Sequence, residues 1–290
     1  MDTEYTEFFK AKNSVHPWPS VPKIAFSLYM GNALLITIKA IFPAQINAVL
    51  PSNGNYRSFV TEIISALISL GLIFLFRKTS VLRLKGKLFG KGLICGLPLI
   101  IIYSLLLIFG LSNLPGKTLI PAAEIVIVII RWFLIGIAEE GLFRGVIQEL
   151  FMDIFGSNSR KGVILSIVSA ATVFGLSHFQ NLLAGAQLPF VLIQVASAIA
   201  SGLMFGAIAY RSGRSILPSM LIHSLIDAAS FTYSGMLWGA SDVDSVNSLD
   251  LRSIIMIPVF VGIFIFLMRK SKTDALLNTD QTDLQDDQEG

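Results

Sequence analysis

The chain of 290 residues is 53% hydrophobic and only 14% charged, and its mean hydropathy is +0.71. So little polar surface excludes an ordinary water-soluble globule and predicts an integral membrane protein whose solvent is lipid. The formal charge of +3 does not indicate nucleic-acid binding, because the basic residues form short clusters between apolar runs and do not share one face.

Apolar runs close to the ~20 residues that an α-helix needs to cross a bilayer recur along the chain, and they predict an all-α, polytopic transmembrane helical bundle of about eight spans. The runs cover Ile24 to Phe42, Phe59 to Phe76, Lys91 to Leu111, Leu119 to Phe151, Val163 to Phe179, Leu188 to Tyr210, Ile216 to Thr232 and Ile254 to Met268. The fourth run is too long for one untilted span, so we expect its end beyond Glu149 to emerge into water or the headgroup layer.

The charges between these runs predict the orientation of the bundle. Every second connection is basic, and so is the segment after the last run. The basic residues of these parts are Arg77, Lys78, Arg83, Lys85, Lys87, Lys91, Arg160, Lys161, Arg211, Arg214, Arg269, Lys270 and Lys272. The connection from Ser234 to Arg252 instead carries Asp242, Asp244 and Asp250. Because positive loops stay in the cytoplasm, we expect a multi-pass protein of the cell membrane with both termini cytoplasmic.

The fourth run contains two adjacent carboxylates, Glu139 and Glu140, and such charges inside a membrane need partners or a wet cavity. Glu140 and Arg144 are four residues apart on one helix face, so we expect an ion pair that holds Glu140 fixed. Glu139 points about 100° away on the helix and is left free to act as a general base. The alternative is that the carboxylates only form a structural ion pair between helices.

Two of the three histidines lie inside apolar runs. His178 follows Phe174 by four residues, and His223 precedes Asp227 by four residues. Asp227 can therefore accept the imidazole N–H of His223 and fix its tautomer. A membrane histidine is more often a hydrogen bond between helices than a catalytic group, but ionisable residues on three separate spans favour a functional site.

The depth of these residues in the bilayer predicts that they meet. Counted from the cytoplasmic end of each span at ~1.5 Å per residue, Glu139 lies ~16 Å deep, His178 ~22 Å and His223 ~10 Å. Tilt brings these depths into one layer, so we expect the three side chains to line one cavity.

These residues carry a resemblance to a known family. The order and spacing of three short motifs resemble the CAAX prenyl endopeptidase and bacteriocin-processing family, also called the CPBP or ABI family of intramembrane proteases. The motifs are Glu139-Glu140-x-x-x-Arg144, Phe174-x-x-x-His178 and His223-x-x-x-Asp227. Each is weak alone, but their order and their placement on successive apolar runs make the set specific.

The resemblance implies hydrolysis of a peptide bond in a membrane-associated protein or peptide, without a covalent enzyme intermediate. In that reaction Glu139 and His178 hold and deprotonate a water, and His223 with Asp227 stabilises the oxyanion. The predicted ion pair of the first motif, between Glu140 and Arg144, holds the site residues in place. The expected partners are therefore this substrate and the lipid bilayer, with no nucleic acid.

One position departs from the prenyl-protease pattern, because that pattern often has Asn where this chain has Asp227, and an ionised Asp cannot donate to an oxyanion. Asp227 orients His223, is protonated, or helps to bind a divalent metal such as zinc. The available metal ligands are His178, His223, Asp227 and Glu139. We expect a metal-free reaction without a cofactor, because the resemblance is to a glutamate-dependent mechanism.

The resemblance and the loop charges divide the chain into five parts. They are a cytoplasmic tail at 1–23, N-terminal transmembrane helices at 24–111, a catalytic core at 119–232, a last transmembrane helix at 254–268 and a tail at 273–290. The last tail is acidic, rich in Gln and free of aromatic residues, so we expect it to be disordered.

Two functions of other classes compete with a peptidase. Buried carboxylates and histidines also form the ion relays of proton-coupled transporters, although paired spans broken by Gly or Pro are not evident. A non-catalytic immunity or scaffold protein would keep the fold without its chemistry. A serine peptidase fits less well, because the sequence around Ser177 lacks the second Gly of a Gly-x-Ser-x-Gly turn, so we interpret Ser177 as a packing residue.

Overall fold

The computed structural model describes residues 20–41, 45, 48–49, 53–84 and 86–271. Residues 1–19 and 272–290, which hold most of the two predicted tails, lie outside the described residues. All regular secondary structure in the described part is helical, as the apolar runs predict.

The α-helices are numbered here in chain order. They are α1 (Ser20–Leu28), α2 (Leu34–Ile41), α3 (Gly54–Leu75), α4 (Lys87–Cys95), α5 (Leu97–Ser112), α6 (Ala122–Glu139), α7 (Gln148–Phe155), α8 (Arg160–Ser177), α9 (Leu188–Arg211), α10 (Leu217–Ser234), α11 (Asp242–Asn247) and α12 (Leu251–Leu267). Two π-helical segments, Tyr29–Ala33 and Glu140–Ile147, join α1 to α2 and α6 to α7, and 3₁₀ turns cover Thr79–Leu82, His178–Leu182 and Met236–Trp238.

Local signals in the sequence set several helix boundaries. Helices α5, α9 and α10 all begin with Leu-Pro, and proline suits the first turn because its missing N–H is not needed there. Asn53 and Ser159 precede α3 and α8, and their side chains accept backbone N–H groups of the first helical turn, which satisfies otherwise unpaired donors. Gly235 ends α10 in the left-handed conformation, at φ 101°, where glycine has no steric penalty.

Helix length and composition support fewer spans than the eight predicted. Three described helical segments, Gly54–Leu75, Arg160–Leu182 and Leu188–Arg211, are long and apolar enough to cross a membrane, or four if the bent pair α4 and α5 is one span. Helix α6 carries three charged residues, and α10 carries His223 and Asp227 among several serines. These two helices, which hold or adjoin most of the predicted site residues, therefore lack the simple signature of a span, whereas the segment Arg160–Leu182 that holds His178 has it.

The predicted third span from Lys91 to Leu111 is not one continuous helix. Helices α4 and α5 meet at an angle of 63°, with Gly96 between them. A Cβ at Gly96 would lie 2.2 Å from Cδ1 of Ile222 on α10, so a larger residue would require the Ile222 side chain to move. The sequence predicted one continuous span from Lys91 to Leu111, and the structure instead has two helices that are bent at Gly96.

The fourth predicted run forms a helical segment from α6 through the π-helical turns to α7. Glu149 is 2% exposed and pairs with Arg214, whereas Phe155 at the end of α7 is exposed. The point at which this run leaves the bilayer stays a prediction.

Small residues bring the central helices together around the π-helical segment. A Cβ at Gly202 of α9 would lie 3.0 Å from the Cβ of Ala171 on α8 and 3.2 Å from a guanidinium nitrogen of Arg144. Glycine at this position therefore permits both the close packing of α8 against α9 and the burial of Arg144 between them.

Candidate active site

His223 of α10 is held between carboxylates from the neighbouring helix. Its Nδ1 lies 2.9 Å from Oε1 of Glu140, which is fully buried. An ionised carboxylate only accepts hydrogen bonds, so Nδ1 is the donor in this contact. The other ring nitrogen, Nε2, lies 3.5 Å from Glu139 and 3.8 Å from Asp227. Glu140 therefore orients the ring and leaves Nε2 on the side of Glu139.

The predicted ion pair between Glu140 and Arg144 is present in the structure. A guanidinium nitrogen of Arg144 lies 3.0 Å from Oε1 of Glu140, and both side chains are at most 1% exposed. The guanidinium also lies over the rings of Phe174 and Phe205, at 4.4 and 5.3 Å from their centroids. Cation–π contacts of this kind stabilise a desolvated arginine, so Glu140 sits in a preorganised buried charge network.

Aromatic rings fix the positions of both histidines. Phe205 stacks on the His223 ring at 4.8 Å with an interplanar angle of 18°. Phe174 meets His178 edge to face at 5.0 Å and His223 at 6.3 Å. Nδ1 of His178 lies 3.0 Å from the backbone carbonyl oxygen of Phe174. Phe174, the first residue of the second motif, therefore packs between the two histidines.

The structure corrects the predicted role of Asp227 as the hydrogen-bond acceptor of His223. Nε2 of His223 lies 3.8 Å from Oδ2 of Asp227, which is too long for a hydrogen bond, and Oδ2 of Asp227 has no hydrogen-bond partner among the described residues. Glu140 takes the expected position instead. The physical reason is that the i, i+4 spacing on α10 brings Asp227 near the ring edge, whereas packing against the π-helical segment brings Glu140 into the ring plane.

Four of the six predicted residues line one cavity of about 400 Å³, named here the central cavity. They are Glu139, His178, His223 and Asp227. The other two, Glu140 and Arg144, are buried behind His223. The convergence expected from the depth of the residues in the bilayer is therefore found for Glu139, His178 and His223.

A second cavity of about 650 Å³ reaches the carboxylate of Glu139 from the side of α3. It shares Glu62, Glu139 and His178 with the central cavity. Glu139 has a side chain that is 31% exposed, so it faces open space, unlike Glu140. Glu139 therefore borders both cavities.

Sequence reasoning missed three charged residues of the central cavity: Glu62 of α3, Arg131 of α6 and Asp242 of α11. Glu62 lines the central cavity together with Glu139, Arg131 and Asp242. It lies in the apolar run from Phe59 to Phe76, where an isolated carboxylate is itself a signal of function. That signal was available in the sequence, whereas the proximity of α3 to the site was not.

The residues proposed as possible metal ligands do not form a metal site in this arrangement. No group of three or more His, Cys, Asp or Glu side chains in the described part of the chain could hold a metal ion. Nδ1 of His223 is engaged by Glu140 and Nδ1 of His178 faces a backbone carbonyl, so Nε2 of each ring is the nitrogen left for other contacts. We therefore derive no step of the reaction through a metal.

Comparison with known proteins shows which family part of the chain resembles. No curated protein matches the chain. The family model of type II CAAX prenyl endopeptidase Rce1-like proteins matches residues 121–229, a segment that contains all three motifs and begins immediately before α6. The apolar helices and this match together indicate a membrane protein. Residues 121–229 are thus an Rce1-like domain of the type II CAAX prenyl endopeptidase family.

Proposed function

We propose that this protein is an intramembrane endopeptidase that hydrolyses a peptide bond of a membrane-associated protein or peptide with an activated water. The observation that carries the proposal is that Glu139, His178 and His223 line one cavity inside the Rce1-like domain. Attack by water requires a general base, and the negative charge that develops on the carbonyl oxygen requires a hydrogen-bond donor. The cavity offers both kinds of group on facing helices.

Glu139 is proposed as the general base, with His178 helping to hold the water. The water oxygen forms a bond to the carbonyl carbon of the substrate while Glu139 takes the proton, and the carbonyl π electrons move onto oxygen. When the tetrahedral intermediate collapses, the C–N bond breaks and Glu139 returns the proton to the leaving amine. No enzyme atom becomes covalently bound, so one carboxylate serves as base and then as acid.

His223 is proposed to stabilise the oxyanion through Nε2 when that nitrogen carries a proton. Its ring plane is fixed by Glu140 at Nδ1 and by stacking on Phe205, so the donor is aimed before the charge develops. Preorganised donors of this kind supply a large part of the stabilisation of a transition state. Asp227 lies near Nε2 without a hydrogen bond to it, and its carboxylate is proposed to influence the electrostatic environment of Nε2.

An adjoining cavity supports a substrate that carries a lipid. A cavity of about 620 Å³ lies between α5 and α12 and shares Tyr103, Asp227 and Phe231 with the central cavity. Its wall includes Leu105 and Phe109 of α5, which are exposed apolar side chains. An alkyl or prenyl chain could therefore lie in the apolar cavity while its peptide enters the central cavity, as a CAAX-type substrate requires.

The direct test of this function uses purified protein in detergent and an S-farnesylated peptide that ends in Cys-Val-Ile-Ser. We expect cleavage, with one ¹⁸O atom in the new carboxylate when the reaction is run in H₂¹⁸O, because water attacks the carbonyl directly. We further expect the rate to survive dialysis against a chelator. Mass spectrometry of the products measures both results. No cleavage of any prenylated or unprenylated peptide by folded protein would contradict the proposal.

We also propose the full topology of eight spans with both termini in the cytoplasm, supported by the alternation of basic connections with connections that are poor in positive charge. In a Cys95→Ala background, Ser248→Cys should react with an impermeant thiol reagent on intact cells, whereas Ser80→Cys should react only after permeabilisation. Both positions are exposed, so access depends on the side of the membrane. Labelling of Ser80→Cys alone on intact cells would show the opposite orientation.

A further inference from the structure

Glu62 of α3 is a carboxylate without a partner at the edge of the candidate active site. It lies in an apolar helix and is partly buried, and it takes part in no hydrogen bond or ion pair with another described residue. Arg131, a basic residue of the central cavity, is already paired with Asp242 at 2.8 Å. A carboxylate inside a membrane is costly unless a partner reaches it, so Glu62 can bind a cation that the described chain does not supply.

Glu62 lines the cavity of about 650 Å³ beside α3, named here the side cavity. The ionisable side chains of its wall are Glu62, Glu139 and His178, and no described Lys or Arg lines it. The rest of the wall is apolar or neutral and includes the side-chain amides of Asn32 and Gln180. The side cavity therefore favours a positive charge.

The wall of the side cavity fits an organic cation better than a metal ion. Among the described residues, no three His, Cys, Asp or Glu side chains are grouped to hold a metal. The side chains of lysine and arginine instead bind a carboxylate together with neutral oxygen acceptors. The amide nitrogen of Asn32 donates to the carbonyl oxygen of Leu28 at 3.4 Å, so the amide oxygen of Asn32 remains available as an acceptor.

The side cavity and the central cavity meet at the proposed reaction centre. Besides Glu62, Glu139 and His178, the residues Gln180 and Asn181 line both cavities. The apolar cavity proposed for a lipid chain shares residues with the central cavity and none with the side cavity. If the lipidated residue and the residues after it occupy the central cavity, the residues before it continue into the side cavity.

Two hydrogen bonds show how α3 lies along α6. The side-chain amide of Asn55 donates to Glu124 at 2.8 Å, and the hydroxyl of Ser69 donates to the carbonyl oxygen of Ile137 at 3.4 Å. The lower residue number comes first in both helices at the first contact, so α3 and α6 run parallel. Glu62 is therefore midway between the two contacts.

The distance from Glu62 to the proposed base corresponds to a short piece of extended peptide. Glu139 lies two residues beyond the second contact, so it is ~13 Å from Glu62 along the helices at ~1.5 Å per residue. Three extended residues of a substrate span ~10 Å. The side chains of Glu62 and of a substrate lysine cover the difference.

We propose that Glu62 binds a lysine or arginine side chain of the substrate about three residues before the cleaved bond, and so makes the protein prefer substrates that are basic there. This position rests on the proposed peptidase function, which places the cleaved bond beside Glu139, but the binding of the cation does not. Desolvated charge pairs of this kind give selectivity because the neutral competitor leaves the carboxylate unpaired.

The test measures binding, so that it does not depend on turnover. S-farnesylated peptides Ser-X-Ser-Cys-Val-Ile-Ser carry a fluorophore on the amino terminus, and X is Lys, norleucine or Glu. Their affinities are measured on Glu139→Gln protein in an uncharged detergent, so the other carboxylate of the side cavity is absent. We expect Lys to bind about 10- to 100-fold more tightly than norleucine. Adding Glu62→Gln should reduce this ratio to near one and leave the affinity for the norleucine peptide unchanged.

Three further variants separate binding from a structural effect of Glu62. Asp153→Asn also replaces a carboxylate by an amide, but at a residue that pairs with Lys78 away from the cavities, and it should keep the ratio. Glu62→Asp should keep part of the preference for Lys. Glu62→Lys should reverse the preference, so that the peptide with Glu binds most tightly.

The position of the lysine tests the register. A peptide in which the lysine lies three residues further from the cysteine should bind like the norleucine peptide, and an equal advantage there would show a general attraction and overturn the proposal. Equal affinity for Lys and norleucine, no measurable binding of any peptide, or an equal loss of affinity for all peptides in Glu62→Gln protein also overturns it. A preference for Lys that depends on Glu62, without cleavage by the wild-type protein, would refute the peptidase function alone.

Discussion

Replacement of Glu139 by Gln should abolish peptide hydrolysis, with a loss of at least about 100- to 10,000-fold in rate, while the protein still folds in the membrane. Glutamine keeps the volume of the side chain and can still donate or accept at the position 3.5 Å from Nε2 of His223. It cannot take a proton from water. The rate of product formation is measured by mass spectrometry, and folding by accumulation in membranes and thermal unfolding in detergent.

The matched control for this change is Ser177→Ala. Ser177 immediately precedes His178, but its hydroxyl donates to the carbonyl oxygen of Phe174 at 2.7 Å, so it is committed to its own helix. Activity should survive its loss, and this result would also separate the proposed mechanism from that of a serine peptidase. Full activity in Glu139→Gln protein would end the peptidase interpretation and favour a non-catalytic immunity or scaffold role.

Interactions within one helix could be predicted from the sequence, because helix geometry fixes which residues are neighbours. The Glu140–Arg144 ion pair is of this kind, and it is found at 3.0 Å. The partner of His223 could not be predicted in this way. Asp227 has the right spacing on the same helix, but Glu140 binds Nδ1 from another element, and such a contact depends on how two helices pack.

The limits of the span prediction have a related cause. Apolar runs indicate which helices are long and apolar enough to cross a membrane, and α3 and α9 meet that description. Helices α6 and α10 carry charged and polar groups of the candidate site, so their composition does not identify them as membrane spans. Helices α4 and α5 are bent at Gly96, where the chain packs closely against Ile222, a residue that is distant in sequence. The position of Glu62 in the central cavity depends in the same way on the packing of α3.

Replacement of Arg144 by Ala should destabilise the protein, unlike Glu139→Gln. The change leaves Glu140 as a fully buried carboxylate without its arginine, and loss of one member of a buried pair typically costs about 3 to 5 kcal/mol. It also removes the guanidinium from between Phe174 and Phe205 and so opens space in the core. We therefore expect a lower amount of protein in the membrane and a lower unfolding temperature in detergent, together with lost activity.

Two further variants show whether the unpaired charge of Glu140 causes the loss of stability. Lys78→Ala breaks the ion pair with Asp153, whose side chains are 17% and 33% exposed, and a partly solvated pair of this kind contributes at most about 1 kcal/mol. Adding Glu140→Gln to Arg144→Ala removes the stranded charge but keeps an oxygen that can accept from Nδ1 of His223, so stability should partly return. If Arg144→Ala unfolded at the same temperature as Lys78→Ala, the Glu140–Arg144 pair would not be the support of the site that its burial indicates.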